Sequence, residues 1–527
     1  VDPIIAVFVI LALAIVAFVS GKVPIGTVAV GVALALWATG VLTLPEALSG
    51  FGDPTVIFIA SLFVVSESLD ATGVTVWIAQ RVVGRAGTDR LRLTIVIGVI
   101  VAVLTAFISI NGAVAALLPV VVVVAVRAGI VPSRLLIPLA FAASAGSLLT
   151  LTGTPVNVLV SDAAAHAGGR PFGFFEFALV GLPVLVCTIA VVALGGRRLL
   201  PDREPEHLGG AADAGEKARM LRESYAVDLD THALFSAQEG VIEVLIAPRS
   251  TLIGREVYPG MTTREEDLVI LAVRRGGGAP DAASAPSRSL ILEAGDAVLV
   301  QGPWGALERY ARSRDVIAVT PPQTLQRAVP LGRGARRALV VLGLMVALLA
   351  TGIVPPAVAG LLAAGALVLT RVLTVPQVYR AVSWTTIVLI AGMIPLSSAF
   401  VSTGAAALVA DGVLALTGRT SPLLALLVVC VVTMVLGQFI SNVATVLVVM
   451  PIAASLAQTT GVSVQPFMMA LTVAGAAAFL TPIATPVNLM VMQPGGYRFG
   501  DYWRLGLPLM IVFLAFSVLY VPLVWPF

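Results

Sequence analysis

Runs of about 17 to 20 apolar residues recur at about 4–20, 23–42, 54–71, 133–165 and 178–197, then at about 337–353, 355–372, 384–401, 466–492 and 503–526. Each matches roughly 30 Å of hydrocarbon, where a backbone must satisfy its own hydrogen bonds as a helix or a closed barrel. The 527 residues are 58% hydrophobic and 12% charged, with a mean hydropathy of +1.01, far beyond what a soluble core needs. The chain reads as an α-helical polytopic membrane protein whose main partner is the lipid bilayer. No nucleic-acid partner and no enzymatic chemistry are expected. The first run lacks a basic start and an A-x-A-like exit, so it reads as a span and not as a cleaved signal. Cys187 and Cys430 lie in apolar segments and offer no disulfide framework or thiolate metal site.

Charge placement gives an orientation. With the N-terminus outside, Lys22, Arg92, Arg127, Arg134, Arg197, Arg198, Arg336, Arg371, Arg380, Arg498 and Arg504 all fall on the cytoplasmic side, while Arg170 and Arg419 are exceptions. The positive-inside rule therefore predicts both termini outside and residues 201–331 in the cytoplasm of a cell carrying this protein in its inner membrane.

Residues 201–331 differ in composition. Charges become dense, and strand-like alternation appears in VIEVLIAPRSTLIGREV, DLVILAVRRGG and SLILEAGDAVLVQGP. They predict a small soluble α/β domain with its core at about 228–318. The Gly276-Gly277-Gly278 run carries no Walker lysine, so ATP-driven transport is not encoded there.

The flanks, residues 1–200 and 332–527, repeat each other. Pro24, Pro45 and Thr72-Gly73 match Pro355, Pro376 and Thr403-Gly404 at an offset of 331, as Thr154-Pro155-Val156-Asn157 matches Thr485-Pro486-Val487-Asn488. FISINGAVAALLP from Phe107 matches FISNVATVLVVMP from Phe439 at 332, and Glu176-Phe177 matches Asp501-Tyr502 at 325. Five crossings per copy, an odd number, turn the second copy upside down. Inverted repeats of this kind build secondary transporters with a midplane site between the copies.

Two stretches per copy do not read as plain spans. At about 91–126 and 423–458, apolar arms flank a polar knot, Ser109, Asn111 and Gly112 in one and Ser441, Asn442 and Thr445 in the other. Arg92 and Arg127 need the same side, which predicts re-entrant hairpins with the knots at their tips. At about 133–165 and 466–492, Pro155 and Pro486 break the helix, freeing the Gly153 and Ala484 carbonyls for a cation and presenting half-helix N-termini to an anion. Asn157 and Asn488, one turn on, read either as ligand contacts or as caps of the half-helices.

These doubled motifs resemble the divalent anion:sodium symporter (DASS) family of the ion transporter superfamily. The resemblance implies one sodium site from Thr105, Ser109, Asn111 and Gly153 and another from Ser441, Asn442 and Ala484. It implies substrate contacts from Asn111, Gly112, Thr154, Pro155, Asn157, Asn442, Val443, Thr485, Pro486 and Asn488. The knots depart from the family: asparagine is displaced by one in Ser109-Ile110-Asn111, and Val443 replaces threonine in Ser441-Asn442-Val443. Both hydroxyls offered to substrate are thereby missing, which disfavours a C4-dicarboxylate and favours a smaller dianion such as sulfate. Residues 240–318 resemble the C-terminal subdomain of RCK (TrkA-C-type) modules through Ala247-Pro248-Arg249-Ser250, Ile253-Gly254-Arg255 and Ala294-Gly295-Asp296. That resemblance implies pairing across a homodimer and a regulatory ligand, a nucleotide or cyclic dinucleotide.

The reading is sodium-coupled import of a small divalent anion, sulfate first, by alternating access. A dicarboxylate symporter is the alternative. A cation/proton antiporter needs a midplane acid, and Glu67, Asp70 and Asp162 lie beside no knot, while a channel lacks a TVGYG-like filter. His166 reads as a loop histidine.

Overall fold

The computed structural model describes all residues except 1, 21, 76, 79–88, 204–238, 259–260, 264–267, 276–289, 320–333 and 418–420. The triple-glycine run, Arg81, Arg85, Arg419 and residues 228–238 of the insert core therefore lie outside the described residues. Two compact units emerge, one of residues 1–68, 81–207 and 337–527, the other of residues 69–80 and 208–336.

The first unit is helical. Its first half holds α1 (Pro3–Ser20), α2 (Ile25–Ala38), α3 (Leu44–Ala47), α4 (Pro54–Ala71, whose last turn belongs to the second unit), α5 (Arg90–Thr105), α6 (Ile110–Arg127), α7 (Ser133–Gly146), α8 (Pro155–His166) and α9 (Ala178–Leu199). Six described helices are long and apolar enough to cross a membrane: α1, α4, α9 and, in the second half, Trp384–Ser402, Asn442–Thr460 and the continuous run Phe499–Val524. The expected span at 23–42 holds only the 14 residues of α2, about 21 Å of helix, because Pro24 precedes it and a turn follows.

The second half follows the same order after α10, which lies in the insert. It contains α11 (Ala335–Thr351), α12 (Pro356–Leu369), α13 (Val375–Ala381), α14 (Trp384–Ser402), α15 (Ala405–Thr417), α16 (Pro422–Leu436), α17 (Asn442–Thr460), α18 (Val464–Gly475), α19 (Pro486–Met492) and α20 (Tyr502–Ala515). Helix α15 was not foreseen: it falls between the apolar run at 384–401 and the expected hairpin at 423–458. The arm α17, read as half of a hairpin, is itself 19 residues long. Short α3 and α13 start alike, with Thr43 and Glu46 forming a capping box in one and Thr374 and Gln377 in the other, 331 positions on.

The insert is an antiparallel sheet in the order β3 (Val269–Arg274), β5 (Ala297–Pro303), β1 (Glu239–Ile246), β6 (Val316–Ala318), with β2 (Glu256–Val257) and β4 (Leu290–Ile291) paired separately. One described helix, α10 (Trp304–Ala311), supplies Trp304 and Leu307 to a core with Val241, Val244, Leu268 and Val300. No parallel βαβ crossover joins the described strands, so the expected α/β domain is of the antiparallel, α+β kind. Gly254 and Gly295, each inside a motif singled out above, have φ of +82° and +87°, a turn conformation that a side chain resists. Asp315 accepts the Thr251 N–H at 2.6 Å and the Ser250 hydroxyl at 3.1 Å; the Thr251 bond first among these holds its carboxyl below the usual range.

Candidate functional site

The chain between α5 and α6 is a short polar tip. Ser109 Oγ accepts the N–H of Gly112 at 3.2 Å, capping α6, and the Ser109 N–H donates to Ser66 Oγ on α4 at 3.0 Å. Thr105, just before the tip, is fully buried, and its hydroxyl donates to the Val101 and Ala102 carbonyls of its own helix.

The loop between α7 and α8 is fastened to that tip. The hydroxyls of Thr150 and Thr152 both donate to the Ala106 carbonyl, the latter at 3.4 Å. Thr154 is extended and Pro155 takes the first position of α8, where its missing N–H costs nothing. Asn157, wholly buried, donates to the Ser147 carbonyl at 2.9 Å and the Thr150 carbonyl at 2.7 Å, closing the loop on itself. A cavity of about 30 Å³, room for a water or a small cation, lies here among Ser66, Phe107, Ser109, Thr152, Gly153 and Pro155.

The second half carries the same fastening in other residues. Gln438, just past α16, donates to the Met434 and Ala477 carbonyls at 2.9 and 3.1 Å, and its Oε1 accepts the Leu480 N–H at 2.9 Å. The Thr481 hydroxyl donates to the Gln438 carbonyl at 3.2 Å, as Thr150 donates to Ala106. Ser441 caps α17 by accepting the Ala444 N–H at 3.3 Å, and Thr485 caps α19 by accepting the Asn488 N–H at 3.2 Å. Asn488 donates to the Ala478 and Thr481 carbonyls, both at 3.0 Å. Its two acceptors stand ten and seven positions earlier, as do those of Asn157.

Entry into α9 and into α20 repeats as well. A Cβ at Gly181 would lie 2.1 Å from the Leu148 carbonyl oxygen, and one at Gly506 2.3 Å from that of Phe479, so helix and loop meet only through glycine. Glu176 accepts the Gly173 N–H at 2.8 Å and a forked Arg170; Asp501 accepts the Arg498 N–H at 2.7 Å and a forked Arg203. Burial alone raises the Glu176 carboxyl, but bonds from Arg170, the Gly173 N–H and the Trp525 indole outweigh it and leave the group below the usual range.

The halves interlock reciprocally. Helix α8 packs against α17 and α18 of the second half, and α19 packs against α6 and α7 of the first. The Phe141 and Phe479 rings meet 4.7 Å apart, and Tyr497 accepts the Ile137 N–H at 3.0 Å.

The cavity thus gathers Ser109, Gly153 and Pro155 among the expected residues. Asn111 and Gly112 lie in the first turn of α6, and Ser441, Asn442, Val443, Ala484, Thr485 and Pro486 lie at the corresponding tip and loop of the second half. Asn157 and Asn488 donate their amide hydrogens to carbonyls of the preceding loop, while Thr154 and Thr485 occupy the N-cap positions of α8 and α19. Asp162 pairs with His166 toward the far end of α8, so no acid enters the tips from there. Among the described residues no three His, Cys, Asp or Glu side chains form a metal cluster. Sequence reasoning missed Ser66, Thr150, Thr152 and Gln438. Gln438 carries a signal, since an amide inside an apolar run must find partners.

"Uncharacterized transporter YfbS" of Escherichia coli is 32% identical over 98% of this chain and 98% of its own. "Sodium/sulfate cotransporter 1" of Chlamydomonas reinhardtii is 23% identical over 56% of this chain and 30% of its own. The crystal structure of the Alcanivorax borkumensis YdaH transporter superposes with a TM-score of 0.49 at 14% identity, covering 100% of this chain and 99% of that one. The family model "Citrate transporter" (CitMHS) matches residues 15–474 and 413–527. This multi-pass, mostly helical membrane protein belongs to the CitMHS citrate transporter family.

Proposed function

We propose that the chain is a sodium-coupled symporter that imports a small divalent anion, sulfate first, by alternating access. The observation that carries this reading is the doubled fastening of tip to broken helix. Asn157 and Asn488 bind equivalent loop carbonyls, Thr150 and Thr481 bind equivalent tip carbonyls, and α8 and α19 each pack into the opposite half. Such symmetry supports two inverted copies of five crossings sharing one midplane site. In this reading residues 1–200 and 332–527 are the copies, residues 91–126 and 423–458 the re-entrant hairpins, and residues 201–331 an RCK-C-like regulatory domain.

The donor set suits this task. Ser109 Oγ, Asn111 and the Gly153 carbonyl are oxygen ligands for one sodium ion, and Ser441, Asn442 and the Ala484 carbonyl for another. No Lys or Arg stands at either tip, so the dianion is met by backbone N–H groups, the α8 N-terminus and the bound cations. Helix α19, with seven residues, adds less dipole than the sequence pattern implied. Asn157 and Asn488 hold the loops and position Thr154-Pro155 and Thr485-Pro486 for substrate. A cotransporter of sodium and sulfate among the relatives favours this pair of substrates.

The family's description as citrate transporters favours a second reading, an organic di- or tricarboxylate on the same site. Uptake of labelled sulfate and citrate into proteoliposomes, with an inward sodium or choline gradient, separates the two. The proposal expects sodium-dependent sulfate uptake and its loss in Asn442→Ala; sodium-dependent citrate uptake alone would select the second reading. Both termini outside, placement in the inner membrane and dimerisation through the insert complete the proposal.

A further inference from the structure

Five buried threonines within the apolar helices share one habit. Thr94, Thr105, Thr188, Thr433 and Thr472 each turn the hydroxyl back onto the carbonyl four residues earlier, at 2.7 to 3.1 Å. Helices in hydrocarbon impose it, since a hydroxyl without a partner is costly there. Thr445, in the second turn of α17, breaks the habit. It is 0% exposed, its N–H donates to the Ser441 carbonyl at 2.9 Å as helix geometry requires, and its hydroxyl has no hydrogen-bond partner.

A second orphan stands beside it in the helix. Asn442 Oδ1, three residues earlier and therefore on the same face, is also buried and unpartnered. The corresponding positions of the first copy, at the 332 offset, are Ile110 and Ala113, which have no such atoms. An amide oxygen accepts only, and a hydroxyl oxygen also offers lone pairs. The amide oxygen can meet a cation but not an anion, and the hydroxyl oxygen on the same face of the helix offers its lone pairs to the same hard monovalent cation.

We infer that Thr445 is a cation ligand peculiar to the second copy, its hydroxyl completing with Asn442 Oδ1 a sodium site that the first copy cannot build in the same way. The inference rests on the proposed sodium coupling and adds to it a residue and an asymmetry. The two cations then bind unequally, and the second copy's site depends on a hydroxyl.

The test uses the full-length protein in detergent, without sulfate or carboxylates, titrated with sodium chloride against choline chloride at constant ionic strength while thermal unfolding is followed. Wild type is expected to gain stability with sodium. Thr445→Val, nearly isosteric, is expected to raise the half-saturating sodium concentration about tenfold, as suits loss of one ligand to a charge, while Thr445→Ser restores it to within about twofold. Thr472→Val, whose hydroxyl is committed to Met468, is the control and should leave the sodium dependence unchanged. If the valine variant does not fold, Thr445→Ser and Thr445→Ala replace it, with serine keeping and alanine losing the sodium response. A wild-type response retained in Thr445→Val, or in Thr445→Ala where that replaces it, overturns the inference while sparing sodium coupling. No sodium response in wild type overturns the coupling itself, and the inference with it.

Discussion

The two tips reach one geometry by different chemistry. In the first half a bare carbonyl, that of Ala106, takes hydroxyls from Thr150 and Thr152; in the second a long side chain, Gln438, bridges two carbonyls and an N–H while its own carbonyl takes Thr481. The asparagine staples behind them are unchanged. What the fold requires at fixed positions is therefore the closed loop after each break, whereas the joint between loop and tip tolerates more than one solution. The difference also places unlike atoms at the tips: Ile110 stands where the second half has Asn442.

The staples should be the most sensitive points. Asn157→Ala or Asn488→Ala removes both side-chain hydrogen bonds that close its loop, and each is expected to cost about 2–4 kcal/mol in thermal unfolding and to abolish uptake. Equal losses in both halves would support equivalent copies; a neutral Asn488→Ala would break the equivalence. The glycine contacts come next. Gly181→Ala and Gly506→Ala push a methyl into a carbonyl oxygen, and each is expected to cost about 1–3 kcal/mol, read in the same melts.

The joint itself should be unequal. Gln438→Leu strips three hydrogen bonds from the second tip and is expected to cost about 2 kcal/mol, against about 1 kcal/mol for Thr150→Val in the first, where Thr152 still holds Ala106. A smaller effect concerns pH. The depressed Glu176 carboxyl contributes stability that is present above its unfolded pKa, near ~4, and is lost as pH falls through the lower folded value. Melts from neutral pH downward should fall more steeply in wild type than in Glu176→Gln, and parallel curves would remove the group from the account.

Much of this was written in residue types. The membrane class followed from apolar runs, and Pro155 and Pro486, each after a threonine at the N-cap, mark where α8 and α19 begin, whereas prolines such as Pro138 and Pro451 lie inside their helices. The site was less legible. Ala106 acts through its carbonyl, which every residue has, so no pattern announces it. Ser66 sits on a distant helix, and only folding brings it to the Ser109 N–H. The loop bonds of Asn157 and Asn488 were not foreseen, because an amide one turn past a proline break reads as a ligand contact or a helix cap, and its reach back to carbonyls ten and seven positions earlier appears only in the fold. Helix α15 was missed because its 13 residues fall short of the length that marks a membrane span, although Ala406, Ala410 and Leu414 recur at helical spacing on its buried side.

Two copies that build one sodium-coupled anion site are tested most directly in proteoliposomes. With labelled sulfate outside, an inward sodium gradient is expected to drive accumulation above equilibrium in wild type, and Asn442→Ala is expected to lose it. Sulfate uptake of equal rate and extent with choline in place of sodium, or unchanged accumulation in Asn442→Ala, would contradict the account.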